Sequence, residues 1–127
     1  MSIESYQDLN VWKNGIEIVK SVYIISSSFP KEEMYGLSSQ MKRSAISIPS
    51  NIAEGHGRDS LKEYVRFVSI ALGSLAELQT QLFIALELKF IDEIKYKELM
   101  EFGNITGRML KKLQQSLKAK LPLSPNT

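Results

Sequence analysis

Three groups of polar residues have the types and spacing that chemistry requires. Arg43, Ser47, Asn51 and Glu54 recur at intervals of four, four and three, which on a helix places them within roughly 80° of arc on one face. Arg58 follows after a turn and Arg66 one helix further on. Such a strip can orient a ligand, or it can join elements or subunits through charge-assisted hydrogen bonds. Glu54, His56 and Arg58 form a tighter group with the elements of an acid, a base and an anion clamp. His56 is the only histidine and lies between Gly55 and Gly57, a setting expected to leave it exposed and mobile.

The third group is basic. Sixteen Lys and Arg against fourteen Asp and Glu give a formal charge of +2, too small by itself to indicate nucleic acid. The distribution is uneven, because no acidic residue follows Glu101 while Arg108, Lys111, Lys112, Lys118 and Lys120 do. The final stretch therefore carries +5, and eleven cations against fourteen anions leave residues 1–101 at −3. Cations also favour a helix C-terminus and keep an exposed face soluble, so this asymmetry has a structural reading beside the phosphate-binding one.

Other chemistry finds little support. No glutamate stands three residues before a histidine, as a di-iron carboxylate bundle needs. No glycine-rich loop leads into Lys and Ser or Thr. Ser26, Ser27 and Ser28 have no base placed to activate them. The absence of cysteine removes disulfides and thiolate metal sites. No catalytic residue, metal or cofactor is expected, and an enzyme built on Glu54, His56 and Arg58 is the remote alternative.

The elements that position these groups read as helices. Apolar periodicity and helix stops predict segments of roughly 8–29, 34–55, 60–89 and 92–120 in one all-α domain spanning the whole chain, with a frayed tail at 121–127. At 127 residues and 43% apolar content the chain can bury one continuous core. Pro30 closes the first segment, and Pro49 is expected to kink the second. Ser60 to Glu63 reads as a reciprocal capping box, and Asp92 as an N-cap flanked by a staple of Ile91 and Tyr96. Short connections favour an antiparallel up-down-up-down four-helix bundle. No apolar run approaches the length of a membrane span, and the N-terminus lacks a secretory signal, so no membrane association and a cytoplasmic location are expected.

Apolar residues remain after one face of each helix is assigned to a core. The first helix carries two stripes, Trp12, Ile16, Val19, Tyr23 and Val11, Ile18, Val22, Ile25, Phe29. The third adds Ile70, Ile84 and Leu88, and the fourth adds Phe102, Ile105 and Met109. Val11, Ile18, Val22 and Ile25 with these six are the expected oligomer interface, since a monomer seldom exposes so much apolar surface. Gly103 and Gly107, one helical turn apart, would admit a close neighbouring helix.

The stretches Asp8 to Lys13, Phe29 to Gln40, Arg43 to Gly55 and Ala71 to Leu78 resemble, in order and spacing, the 23S ribosomal RNA intervening-sequence proteins. The fourth helix resembles them only in general character. The resemblance implies a four-helix bundle assembling as a ring-like homopentamer. Members are often encoded inside insertions in ribosomal RNA genes, and no catalytic residues carry over. A similar bundle, more basic than this chain, is the accessory protein of diversity-generating retroelements, which binds nucleic acid and a reverse transcriptase. The function expected is therefore a non-enzymatic homo-oligomer that binds RNA or a ribonucleoprotein through Arg108, Lys111, Lys112, Lys118 and Lys120. The alternative is a protein scaffold in which the Arg43 to Glu54 face or the leftover apolar stripes receive a partner helix.

Overall fold

The chain enters its first helix through a 3-10 turn at Tyr6–Asp8, capped by the Ser5 hydroxyl, which accepts the Gln7 amide at 3.1 Å. The computed structural model describes residues 5–122, and these fold into four α-helices with no strand among them: α1 Asn10–Ser26, α2 Leu37–His56, α3 Leu61–Glu87 and α4 Glu93–Ala119. The part of the predicted frayed tail at 123–127 lies outside the described residues.

The boundaries follow local chemistry. The α1 helix stops three residues short of Phe29 because the hydroxyls of Ser27 and Ser28 turn back onto the carbonyls of Ile24 and Ile25, at 2.6 and 2.9 Å, competing with the backbone for those acceptors. A second 3-10 turn, Lys31–Glu33, precedes α2, so that helix begins at Leu37 rather than near 34. Pro49 lies inside α2, which continues through it as one helix. The predicted caps of α3 and α4 form: Ser60 Oγ accepts the Glu63 amide at 3.2 Å and Asp92 Oδ1 accepts the Lys95 amide at 2.7 Å. The capping box is not reciprocal, because the Glu63 carboxylate takes Arg66 Nε at 2.8 Å instead.

Each helix packs against its neighbours in sequence, and α4 also meets α1. Gly15 on α1 lies against Pro49 on α2, where an added Cβ would meet the proline ring at 3.1 Å, and Tyr23 lies beneath the Lys42 ammonium. From α2 to α3, Ser44 reaches Glu77, Ser47 reaches Ser74 and Gly55 lies against Phe67. From α3 to α4, Ser69 pairs with Gln114 and Gln79 with Asn104. In every pair the partner's number falls as the first helix's number rises.

The core holds Val22, Met41, Ala45, Ile48, Ile52, Val68, Ala71, Leu78 and Leu110, all essentially inaccessible. Val11, Ile18, Val22 and Ile25 belong to this core, with exposures of 5%, 3%, 0% and 7%. This corrects their assignment to an oligomer interface. Periodicity reports that two stripes lie about 100° apart but not which one faces inward; the approach of Gly15 to Pro49 turns the Val11 to Ile25 side to the core. Trp12 and Val19 of the other stripe are half-buried against it, and Tyr23 is exposed. By length and composition α3 would pass for a membrane span, contrary to the expectation from the sequence. Val68, Ala71, Leu75, Leu78 and Leu82, which give it that character, lie in the core.

Candidate nucleic-acid interface

The α4 helix buries a narrow line, Gly103, Thr106, Leu110 and Leu117, flanked by half-buried Leu99, Phe102, Met109 and Leu113, and presents its remaining face outward. Residues 108, 111, 112, 118 and 120 fall outside this inward arc, and Arg108, Lys111, Lys112, Lys118 and Lys120 are all exposed. The ion pairs among the described residues are Lys20–Glu17, Arg58–Glu54, Arg66–Glu63 and Lys95–Glu98. None involves the five C-terminal cations, which keep their charge available to an external anion.

Arg108 and Lys111 also stand at the edge of a groove of about 390 Å³ between α3 and α4. Leu72, Leu75 and Ala76 form one wall, and Gly103 and Gly107 open the other. The glycines bring the helices together there: a Cβ on Gly103 would lie 2.8 Å from Gln79 Nε2, and one on Gly107 would lie 3.2 Å from Leu75 Cδ2. Gln79 Nε2 donates to Asn104 Oδ1 across the groove at 2.9 Å, and Gln114 Nε2 donates to Ser69 Oγ at 2.6 Å. Sequence reasoning found the glycine pair and the cations but missed Gln79 and Asn104, whose juxtaposition depends on how α3 registers against α4.

The polar strip on α2 is only partly united. Asn51 Nδ2 donates to the Ser47 carbonyl and hydroxyl, both at 2.8 Å, and Ser47 Oγ meets Ser74 Oγ at 2.7 Å. Ser44, absent from the predicted strip, reaches Glu77 Oε1 at 2.6 Å and the Gln40 carbonyl at 3.1 Å. One hydroxyl hydrogen serves two acceptors, and the shorter, charged contact takes it. Arg43 is exposed beside this network and makes none of its hydrogen bonds.

At the α2–α3 turn, Arg58 Nη2 pairs with Glu54 Oε1 at 2.7 Å. The guanidinium carbons of Arg58 and Arg66 lie 5.0 and 4.8 Å from the centre of the Phe67 ring. His56 packs edge-on against Tyr64. The hydrogen bond from Arg66, with the charges of Arg66, Arg58 and Lys62, holds the Glu63 carboxyl below its ordinary range despite a desolvation cost. Burial pushes the Tyr64 phenol up. Glu54 is thus engaged with Arg58 and His56 with an aromatic edge, and no nucleophile joins them.

Of the remaining apolar candidates, Ile70, Ile84 and Leu88 are exposed at 38%, 41% and 53%, and Ile105 at 38%. Phe102 and Met109 are half-buried against the core. Asn14 Nδ2 of α1 lies 3.2 Å from Met109 Sδ, and Phe102 lines a recess with Ser21 and Ile24 of the same helix. Part of their apolar surface is therefore covered within one chain, and part stays accessible.

A model of the family described as 23S rRNA-intervening sequence protein matches residues 7–112. The chain belongs to this family. The match includes α4 as far as Lys112 and leaves Lys118 and Lys120 beyond it. A crystal structure of a protein with unknown function from the S23 ribosomal protein family, from Bacteroides thetaiotaomicron, is similar with a TM-score of 0.75 and 21% identity over 83% of this chain and 95% of that one. At that identity the likeness establishes the fold of the intervening-sequence protein, and its activity must be argued from its own surface. No curated protein matches the sequence.

Proposed function

We propose that this intervening-sequence protein is a non-enzymatic homo-oligomer, an up-down-up-down four-helix bundle in each subunit, that binds RNA or a ribonucleoprotein through the basic end of α4. The observation that carries this reading is the set of five exposed cations, none paired with a carboxylate among the described residues. Neutralising phosphates releases condensed counterions, so unpaired cations are the ones that contribute affinity. The opposed register of every packed helix pair supports the up-down-up-down arrangement. Exposed Ile70, Ile84 and Leu88 support self-association. Five copies, as the sequence resemblance implies, would repeat the +5 segment around a ring and strengthen its field.

Fluorescence anisotropy with labelled single-stranded and structured RNA, across a salt series, tests the reading beside a variant with Lys111, Lys112, Lys118 and Lys120 changed to Gln. On a single strand log K should fall with log salt at a slope of about −0.7 per neutralised phosphate, and the variant should have a shallower slope. Absence of binding at low salt would overturn RNA recognition and favour the protein scaffold. Light scattering coupled to size exclusion reads the number of copies.

A further inference from the structure

Three surface depressions invite comparison. The one at the α3–α4 turn is lined by Glu87, Asp92 and Glu93 with a single Lys89, and the recess between α1 and α4 contains Lys95 and Glu98. The groove between α3 and α4 has Arg108 and Lys111 among its lining residues and no carboxylate. Its volume of about 390 Å³ falls within the roughly 300–1,000 Å³ typical of small-molecule sites. Of the three, it is the one whose charge suits an anion.

The rest of the lining specifies what accompanies the anion. Leu72, Leu75 and Ala76 offer an apolar wall against which a flat group can lie, while the space directly in front of Gly103 and Gly107 is taken by Gln79 and Leu75. The Gln79–Asn104 hydrogen bond uses one amide NH2 and one carbonyl, leaving the pair with a second carbonyl oxygen and a second NH2 group. An acceptor and a donor are what the edge of a nucleobase requires of its partner. The Arg108 guanidinium at the rim supplies a plane on which a base can stack as well as a charge for phosphate.

We infer that the α3–α4 groove is a slot for one unpaired nucleotide, seating its base against Leu72 and Ala76 while Arg108 and Lys111 hold the adjoining phosphates. This rests on the RNA-binding reading and specifies it: bases locked in a duplex cannot enter, so the protein prefers single strands. Lys112, Lys118 and Lys120 lie outside the groove and contribute charge without this selectivity.

Filling the groove without changing the charge tests the inference. Gly107→Leu occupies it from α4. Ala76→Leu occupies it from α3 at an exposed position, which keeps the test alive if the first variant disturbs packing against Leu75. Each full-length variant, with helicity and melting temperature checked, is titrated with a labelled single-stranded RNA and with a duplex of the same length. Loss of one seated base lowers single-strand affinity by about five- to a hundredfold, while duplex affinity and the salt slope stay at wild-type values. Wild-type single-strand affinity in both filled variants, with binding still lost in the lysine-neutralised protein, would overturn the slot and leave the basic surface standing. No RNA binding by the unaltered protein would overturn both.

Discussion

The α2–α3 seam and the α3–α4 seam share one helix but are built differently. Along the first, helix contact is close and polar groups are internal to the joint: Ser44 meets Glu77, Ser47 meets Ser74, and Gly55 is pressed between Phe67 and Tyr64. Along the second, glycines again bring backbones together, yet a groove remains and the polar groups stand at its rim. The difference lies in what faces each glycine. An added Cβ on Gly55 would meet Phe67 Cβ at 2.8 Å, a group fixed close to its backbone, whereas one on Gly107 meets only the end of the Leu75 side chain, which borders open space. A closed seam serves the fold, and an open one leaves surface for a ligand.

The sharpest way to break this comparison is the same substitution in both seams. Gly55→Leu should destabilise by about 3 kcal/mol, at the upper end of overpacking costs, while Gly107→Leu should change stability by less than about 1 kcal/mol; denaturant midpoints for the pair decide, and equal losses would show the seams to be alike. Next in size is Gln81 on α3, which is 6% exposed and whose Oε1 has no hydrogen-bond partner. Because an unsatisfied buried group costs about 1–3 kcal/mol, Gln81→Leu should stabilise by about 1–2 kcal/mol in urea unfolding.

A double-mutant cycle on Ser47→Ala and Ser74→Ala should return a coupling of about 1 kcal/mol, the net value of a typical internal hydrogen bond. The cycle on Gln79→Ala and Asn104→Ala should return less, since that pair is more exposed to water. The turns provide a smaller contrast. After α3, Lys89 adopts φ 64°, a left-handed conformation, and the amides of Lys89 and Phe90 return to the carbonyls of Leu86 and Ala85 at 2.9 and 2.8 Å. Lys89→Gly relieves that conformation and should raise stability by about 0.5–1 kcal/mol, part of the gain being offset by greater freedom in the unfolded chain.

The smallest effect concerns pH. Glu63 is partly exposed and its folded pKa is depressed chiefly by the hydrogen bond from Arg66. Its contribution to stability is therefore present above the unfolded carboxylate pKa and lost as pH falls through the lower folded value. Arg66→Gln should return the Glu63 titration toward the ordinary carboxylate midpoint by NMR, with little change in melting temperature at neutral pH.

Much of the fold could be read from residue order. Ser60 and Asp92 announce the starts of α3 and α4 through local hydrogen bonds, which depend on neighbours in sequence. The end of α1 was less legible because Pro30 marks a limit, whereas Ser27 and Ser28 stop the helix earlier by binding its own carbonyls. The inward stripe of α1 could not be chosen from periodicity, since the choice depends on Gly15 meeting Pro49 in another helix. For the candidate site, the charge of α4 was visible as composition, but its groove was not. Gln79 and Asn104 are twenty-five positions apart, and only the register of two helices brings them together.

The cations of α4 occupy positions that the core does not use, while Gly103, Thr106, Leu110 and Leu117 do the packing. Selection can therefore act on the two sets separately. A descendant could lose every one of the five charges and keep its architecture, or change its packing residues in concert and keep its charge. The fold records common ancestry more faithfully than it records occupation, and electrostatic character can diverge among relatives whose backbones still superimpose.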